Sequence, residues 1–297
     1  MPILAIGAAR PRRSKVGHDR GPGTCFPRFA ATPAVAVQEG WDNEVFRVAD
    51  QIVRIPRRPE VEALARVEAR LLPELSAELP VEVPVPLEVC SDHAAMRYRR
   101  IPGEPAAEEW LAVLPQEVIG EQIADLLTSL RAFPVDVARG AGVTDVSGSA
   151  WGDHYAELVD HFTRVVVPCL PPDRRAAGEA LLTSIGEIRG NVQVAVVHDD
   201  LGPSHLLCDE GGLRGVIDWG DVCIGDPAID LAWALNGAPP TIARVVRDRV
   251  VVDEAEVERA RLYHRLGPWY EVEYGLRIHD DSFVDSGVRG IVDRLGD

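Results

Sequence analysis

Between Ala34 and Ile55 apolar and polar positions alternate in short runs, the period of half-buried strands. The pattern predicts strands over Ala34–Gln38, Glu44–Val48 and Gln51–Ile55, separated by turn clusters at Glu39–Asn43 and Ala49-Asp50. The period then changes. From Pro59 to Leu75, the residues Val61, Leu64, Ala65, Leu71 and Leu72 fall near one face of a helix. Prolines punctuate Pro80–Pro86, and a second strand pair follows at Leu87–Val89 and Ala95–Arg99. Ile101-Pro102-Gly103 is a breaker and a candidate hinge. Beyond it, amphipathic helices are expected over Pro115–Ala132, Ser149–Val167 and Arg174–Ile188. A short apolar strand, Val192–Val197, leads into a loop, His198–His205, then a hairpin, Leu206–Cys208 with Leu213–Ile217. Helices return at Asp226–Leu235 and Glu254–Leu276. No internal repeat is visible. This order predicts an α+β chain: a small strand-rich lobe over residues 31–102, a hinge, and a larger helical lobe over 103–297.

Residues 1–30 have no such periodicity. They are rich in Arg, Pro and Gly and read as a disordered basic extension with a net charge of +5. The chain as a whole carries −16, so the body is strongly acidic. An acidic body repels nucleic acid and favours cationic partners, although acidic surfaces also simply maintain solubility. Lys15 is the single lysine. The cysteines at 25, 90, 169, 208 and 223 are scattered without a C-x-x-C pair, the usage of reduced thiols in a cytoplasmic protein. Neither an apolar run of membrane-spanning length nor a secretory leader is present, so no membrane partner is expected.

The chemistry concentrates between His198 and Asp230. The stretch reads His198-Asp199-Asp200-Leu201-Gly202-Pro203-Ser204-His205, then Ile217-Asp218-Trp219-Gly220, then Gly225-Asp226-Pro227-Ala228-Ile229-Asp230. Phosphoryl transfer needs one carboxylate at the acceptor hydroxyl and further ligands on the divalent metal that bridges the triphosphate. A loop after a buried strand presents the first carboxylate, here Asp200. A residue five positions on, His205, can turn back to the metal, and Asp218 at the end of the next hairpin completes the set.

This spacing resembles the kinase catalytic loop and its following metal-binding aspartate. The segment is similar to the H-x-D-x-x-x-x-N, I-D-W and G-D-P-x-x-D-L pattern of the aminoglycoside and macrolide phosphotransferase family, with His205 at the last loop position as in the macrolide and 2″-acting kinases. The resemblance covers roughly Ala34 to Leu295. It implies a two-lobed protein-kinase-like fold and γ-phosphoryl transfer from ATP or GTP, with Mg2+, to a hydroxylated small molecule. The implied acceptor is an aminoglycoside or macrolide antibiotic, and the implied protein is a monomer or homodimer. It also implies that Asp200 is catalytic, that His205 and Asp218 hold the metal, and that His198 supports the loop. Asp226 and Asp230 are expected to brace the loop and cap the next helix. In the small lobe, Val53-Arg54-Ile55-Pro56-Arg57 matches the family's strand-end motif. Arg54 thus takes the place of the phosphate-binding lysine, with Glu68 as its partner; the exchange keeps charge but alters reach. Gly40, Asp42 and Asn43 are assigned to the triphosphate, without a G-x-G-x-x-G loop. Tyr98, Arg99 and Ile101 are assigned to the hinge against the base.

The segment Tyr263–Tyr274 mixes aromatics and acids and suits either an acceptor wall or ordinary helix packing, and Asp153, Asp160, Asp280 and Asp281 are further acceptor candidates. Three other functions compete: a metabolite kinase of the same fold, a nucleotide-binding pseudoenzyme, and a metal phosphohydrolase built on His198-Asp199. A Rossmann oxidoreductase fails for want of its glycine fingerprint.

Overall fold

The computed structural model describes residues 21–39, 42–147, 149–188 and 192–296. A short helix, α1 (Pro22–Cys25), leads into a five-stranded antiparallel sheet in the order β1-β2-β3-β5-β4. Its strands are β1 (Val35–Glu39), β2 (Asn43–Val48), β3 (Gln51–Pro56), β4 (Glu88–Val89) and β5 (Met96–Arg99). Between β3 and β4 runs α2 (Pro59–Glu78). Pro59 opens α2 at a position where its missing N–H costs nothing. The helix buries Val61, Ala65, Glu68, Leu71, Leu72 and Leu75, a stripe at helical spacing, and ends at Glu78, two residues before Pro80. Glu68 is the one acid in that stripe.

The remaining elements form the helical lobe. They are β6 (Glu104–Pro105), α3 (Glu108–Leu111), α4 (Gln116–Ala132), α5 (Val135–Ala141), β7 (Thr144–Asp145), α6 (Ser149–Val165), α7 (Arg175–Glu187), β8 (Ala195–Val197), β9 (Leu206–Asp209), β10 (Gly212–Val216), β11 (Cys223–Gly225), α8 (Leu231–Asn236), α9 (Pro240–Arg249), α10 (Glu254–Ile278) and α11 (Asp281–Leu295). Two small sheets, β10-β9-β6 and β7-β11-β8, frame the loops after β8 and β10. Helix α4 packs on α9, and α10 packs on both α8 and α11. One apolar core, including Phe162, Trp219, Trp269 and Ile224, fills this lobe and takes in Leu71, Leu72 and Leu75 of α2.

Gly103 makes the hinge. Its φ is +97°, and a Cβ there would lie 2.9 Å from the Cys208 carbonyl oxygen. Ile101 beside it is buried. The chain therefore crosses between lobes pressed against β9.

Several elements differ from the sequence reading. Residues 21–30, assigned to a disordered extension, pack on the small lobe: Cys25 and Phe26 join Val48, Val53, Ile55 and Ala95 in one core cluster. The strand expected over Val192–Val197 is only Ala195–Val197. The helix expected from Asp226 starts at Leu231, because the Asp226 carboxylate accepts from the Ala228 N–H and shapes a turn. Helices α9 and α11 have no counterpart in the sequence reading. Gly287 and Gly290 make α11 a poor helix on propensity. Yet a Cβ on Gly287 would sit 2.8 Å from the Val272 nitrogen, so glycine is what lets α11 lie against α10.

Candidate active site

The loop after β8 carries Asp200 and is held from below. Asp230 accepts from the His198 N–H at 2.8 Å and the Asp199 N–H at 3.0 Å. Its carboxylate thus braces the loop, and its side chain makes no cap bond to α8, contrary to the expected capping role. His198 is fully buried, its ring edge-to-face on Trp219 at 4.7 Å. Nδ1 accepts from the Asp200 N–H at 3.3 Å, so Nε2 carries the proton and donates to the Ile217 carbonyl at 3.0 Å. Burial pushes this imidazole down to about 4, so it stays neutral and ties the loop to the end of β10.

His205 sits at the loop's far end, and its carbonyl accepts from the Ile217 N–H at 3.0 Å. Its Nδ1–H donates to the Asp200 carbonyl at 2.7 Å. That bond leaves the Nε2 lone pair facing Asp218, whose Oδ2 is 3.7 Å away. Nδ1 is also 3.5 Å from Asp200 Oδ2. Both aspartate side chains remain about half exposed to the cleft (47% and 51%). Asp218 has left-handed backbone geometry, φ 64°, uncommon for a residue other than glycine and a frequent mark of functional strain.

On the other side of Asp218 lies the small lobe's ion pair. Arg54 on β3 donates from Nη1 to Glu68 Oε1 at 2.9 Å and from Nη2 to Oε2, a two-pronged pairing in which both side chains are buried. Arg54 Nη1 lies 3.6 Å from Asp218 Oδ1. Desolvation opposes the arginine's charge, but Glu68 and Asp218 outweigh it and hold the group protonated. Loss of water pushes the Asp218 carboxyl up, but the Arg54 guanidinium beside it outweighs this and leaves it below the ordinary carboxylate range. Glu68 also accepts from the Trp219 backbone N–H, joining α2 to the segment that carries Asp218.

Asp200, His205, Asp218, Arg54 and Glu68 therefore form one continuous chain of contacts across the two lobes. His198 lies beneath them. Tyr98 is buried on β5 opposite Ile52, within electrostatic range of Arg54, Glu68 and Asp218. Arg99 ends β5 in solvent, and Ile101 turns inward. Asp42 pairs with Arg58, and Asn43 is buried at the start of β2. Gly40 lies outside the described residues. Asp226 is committed elsewhere: Arg259 grips it at 2.6 and 3.2 Å, and the Tyr263 hydroxyl donates at 3.1 Å. Arg259 and Tyr263 were not read from the sequence as site supports, because their partner is 33 or more positions away. The aromatics of Tyr263–Tyr274 serve packing. Trp269 is buried against Phe162, and Tyr270 meets Phe162 edge-on. Asp160 pairs with Arg164 and Asp280 caps α11.

A carboxylate-bearing loop and a second carboxylate after the next hairpin, facing a charged pair across a hinge, define a two-lobed phosphotransferase of protein-kinase-like architecture. The chain belongs to the phosphotransferase enzyme family, whose model matches residues 34–269. It is 32% identical over 199 residues to viomycin phosphotransferase of Streptomyces vinaceus, covering 64% of this chain and 67% of that protein. Its fold is similar to that of APH(2″)-IIIa in a GDP and kanamycin complex, with TM-score 0.81, 24% identity, and 92% and 96% of the two chains covered. A macrolide 2′-phosphotransferase from Brachybacterium faecium shares the fold at TM-score 0.65 and 23% identity, over 87% of this chain and 91% of that one.

Proposed function

We propose that this protein transfers the γ-phosphoryl group of ATP or GTP to a hydroxyl of an antibiotic of the aminoglycoside or macrolide kind. The observation that carries this reading is the convergence of Asp200 and Asp218 on the two ring nitrogens of His205. The names of the related proteins, which act on viomycin and macrolides or bind kanamycin, support the antibiotic as acceptor.

In this reading Asp200 receives the acceptor hydroxyl, orients it towards the phosphorus and takes its proton. The Asp200 carbonyl is locked by His205 and its N–H by His198, so the carboxylate stands on a fixed loop. Asp218 Oδ2 and His205 Nε2 lie 3.7 Å apart, close enough to share an ion, and the Asp218 carboxylate, kept ionised beside Arg54, supplies the hard oxygen that Mg2+ takes. Among the described residues no cluster of three or more such ligands exists, and triphosphate oxygens and water would supply the rest. The bound ion would neutralise charge on the phosphates. Arg54, positioned by Glu68, meets the α- and β-phosphates. Its buried Nε–H has no partner among the described residues, a donor that an anionic oxygen would satisfy. Backbone groups around Tyr98–Ile101 meet the base, and Asp42 and Asn43 border the phosphates. Nucleotide of this kind and five cysteines outside any disulfide suit the cytoplasm. Among the described residues no helix is long and apolar enough to cross a membrane.

The test is a transfer assay with kanamycin, viomycin and a macrolide, using ATP and GTP with magnesium. Wild type should phosphorylate at least one. Asp200→Ala should lose about 10²–10⁴ in rate while nucleotide still binds by calorimetry. Undiminished transfer by that variant would remove Asp200 from the mechanism.

A further inference from the structure

Asp218 keeps a backbone conformation that its own residue type does not enforce. Its φ is 64° and its ψ 63°, in the left-handed region. There its carboxylate sits between two partners: Oδ2 is 3.7 Å from His205 Nε2, and Oδ1 is 3.6 Å from Arg54 Nη1. A residue other than glycine holds such geometry only where its surroundings over-determine it. Released, the peptide would return to the right-handed or extended region, and the carboxylate would leave one partner or both.

The restraint comes from the next residue. Trp219 is fully buried and is fastened at three points. Its backbone N–H donates to the Glu68 carboxylate on α2. Its ring lies edge-to-face on His198, with 4.7 Å between centroids. Its indole Nε1–H donates to the Val216 carbonyl at 3.0 Å. This last bond reaches back three residues and closes a turn around Ile217 and Asp218. Its acceptor end is rigid. Val216 is buried in β10, paired with Leu206, and its N–H donates to the Glu82 carbonyl at 2.9 Å. The first two contacts would suit any large aromatic residue. The third needs a ring N–H at that place, which phenylalanine lacks. Both partners are buried, so water does not replace the bond when it is lost.

We propose that Trp219 is a positioning residue for phosphoryl transfer: its indole N–H closes the turn that keeps the Asp218 carboxylate beside His205, placed for the metal. The inference rests on the phosphotransferase reading and deepens it. Buried as it is, Trp219 acts through Asp218 and not on substrate.

The experiment removes the N–H and keeps an aromatic ring. Trp219→Phe does this with a smaller ring. Replacing the indole by benzothiophene, through nonsense suppression, does it at nearly constant shape. Calorimetry then measures Mg2+ binding to each protein saturated with a non-hydrolysable ATP or GTP analogue, and transfer assays give the Mg2+ concentration for half-maximal rate. Both changes should weaken Mg2+ binding about tenfold and raise the half-maximal concentration by a similar factor. Affinity for the metal-free nucleotide should hold, since Arg54 and Glu68 keep their pairing. A residue that only fills the core would lower the melting temperature and leave metal affinity alone. Wild-type Mg2+ affinity in the benzothiophene protein would overturn the inference and leave phosphoryl transfer standing, whether or not Trp219→Phe folds. A wild-type protein that binds nucleotide but transfers to no acceptor would overturn the enzymatic reading, and the role of Trp219 with it.

Discussion

Single side chains carry two testable consequences. His198 is neutral in the fold because burial pushes it from an ordinary 6.5 down to about 4. The unfolded chain takes up a proton below 6.5 and the folded one does not, so stability contributed by this residue is complete above 6.5 and lost as pH falls towards 4. The loss amounts to about 3 kcal/mol. Urea unfolding between pH 7 and 4 should show it, and His198→Gln should be weaker at neutral pH with a flatter profile. Arg54→Lys tests the other consequence. Lysine keeps the charge but cannot hold both Glu68 oxygens while approaching Asp218. Nucleotide affinity should fall about tenfold, and stability by about 1–2 kcal/mol because buried Glu68 loses a donor. Calorimetry and denaturant melts report the two separately. Glu68 was legible in the sequence from the family motif, and a charged residue on an otherwise apolar helix stripe is a signal in its own right. The left-handed backbones of Asp199 and Asp218 were not legible: aspartate tolerates this geometry better than most residues, but nothing in the pattern singles these two out among the many aspartates of the chain.

At the level of elements, the loop that carries Asp200 depends on a residue it does not contain. Asp230→Ala would leave the His198 and Asp199 N–H groups without partners under the loop, costing about 2–4 kcal/mol. A shift of about 1 Å in Asp200 should lower kcat about 100-fold. Stopped-flow transfer assays alongside denaturant melts would separate these effects, and a variant with wild-type kcat would show that the loop stands without its brace. The loop and the hairpin were readable because their period and spacing are local. The helix start after Asp226 was not: a side-chain bond to the Ala228 N–H competes with helix in a way that periodicity cannot register. Helix α11 was hidden for a related reason, its glycines chosen for closeness to α10 over helical propensity.

Across the whole molecule, the small lobe depends on chain that looks dispensable. Phe26 is buried among Val48, Val53, Ile55 and Ala95, and Arg28 pairs with Glu88, itself held by Arg97. Phe26→Ala should destabilise the protein by about 3 kcal/mol, read in a thermal melt, whereas a polar substitution at exposed Arg99 should change it little. The segment escaped sequence reading because two short turns and two apolar side chains leave no period to detect. The two-lobed order was readable for the opposite reason: strands and helices segregate along the chain, and each lobe has its own hydrophobic rhythm. Asp226 adds a last consequence. Its grip on Arg259 and Tyr263 fastens α10 to the stretch just after Asp218, so a graft of the C-terminal helices from a relative would inherit a new anchor point along with its new surface. Chimeras that exchange these helices must transplant residues 226, 259 and 263 as a unit, or the borrowed helices will tug the segment that carries Asp218 out of true.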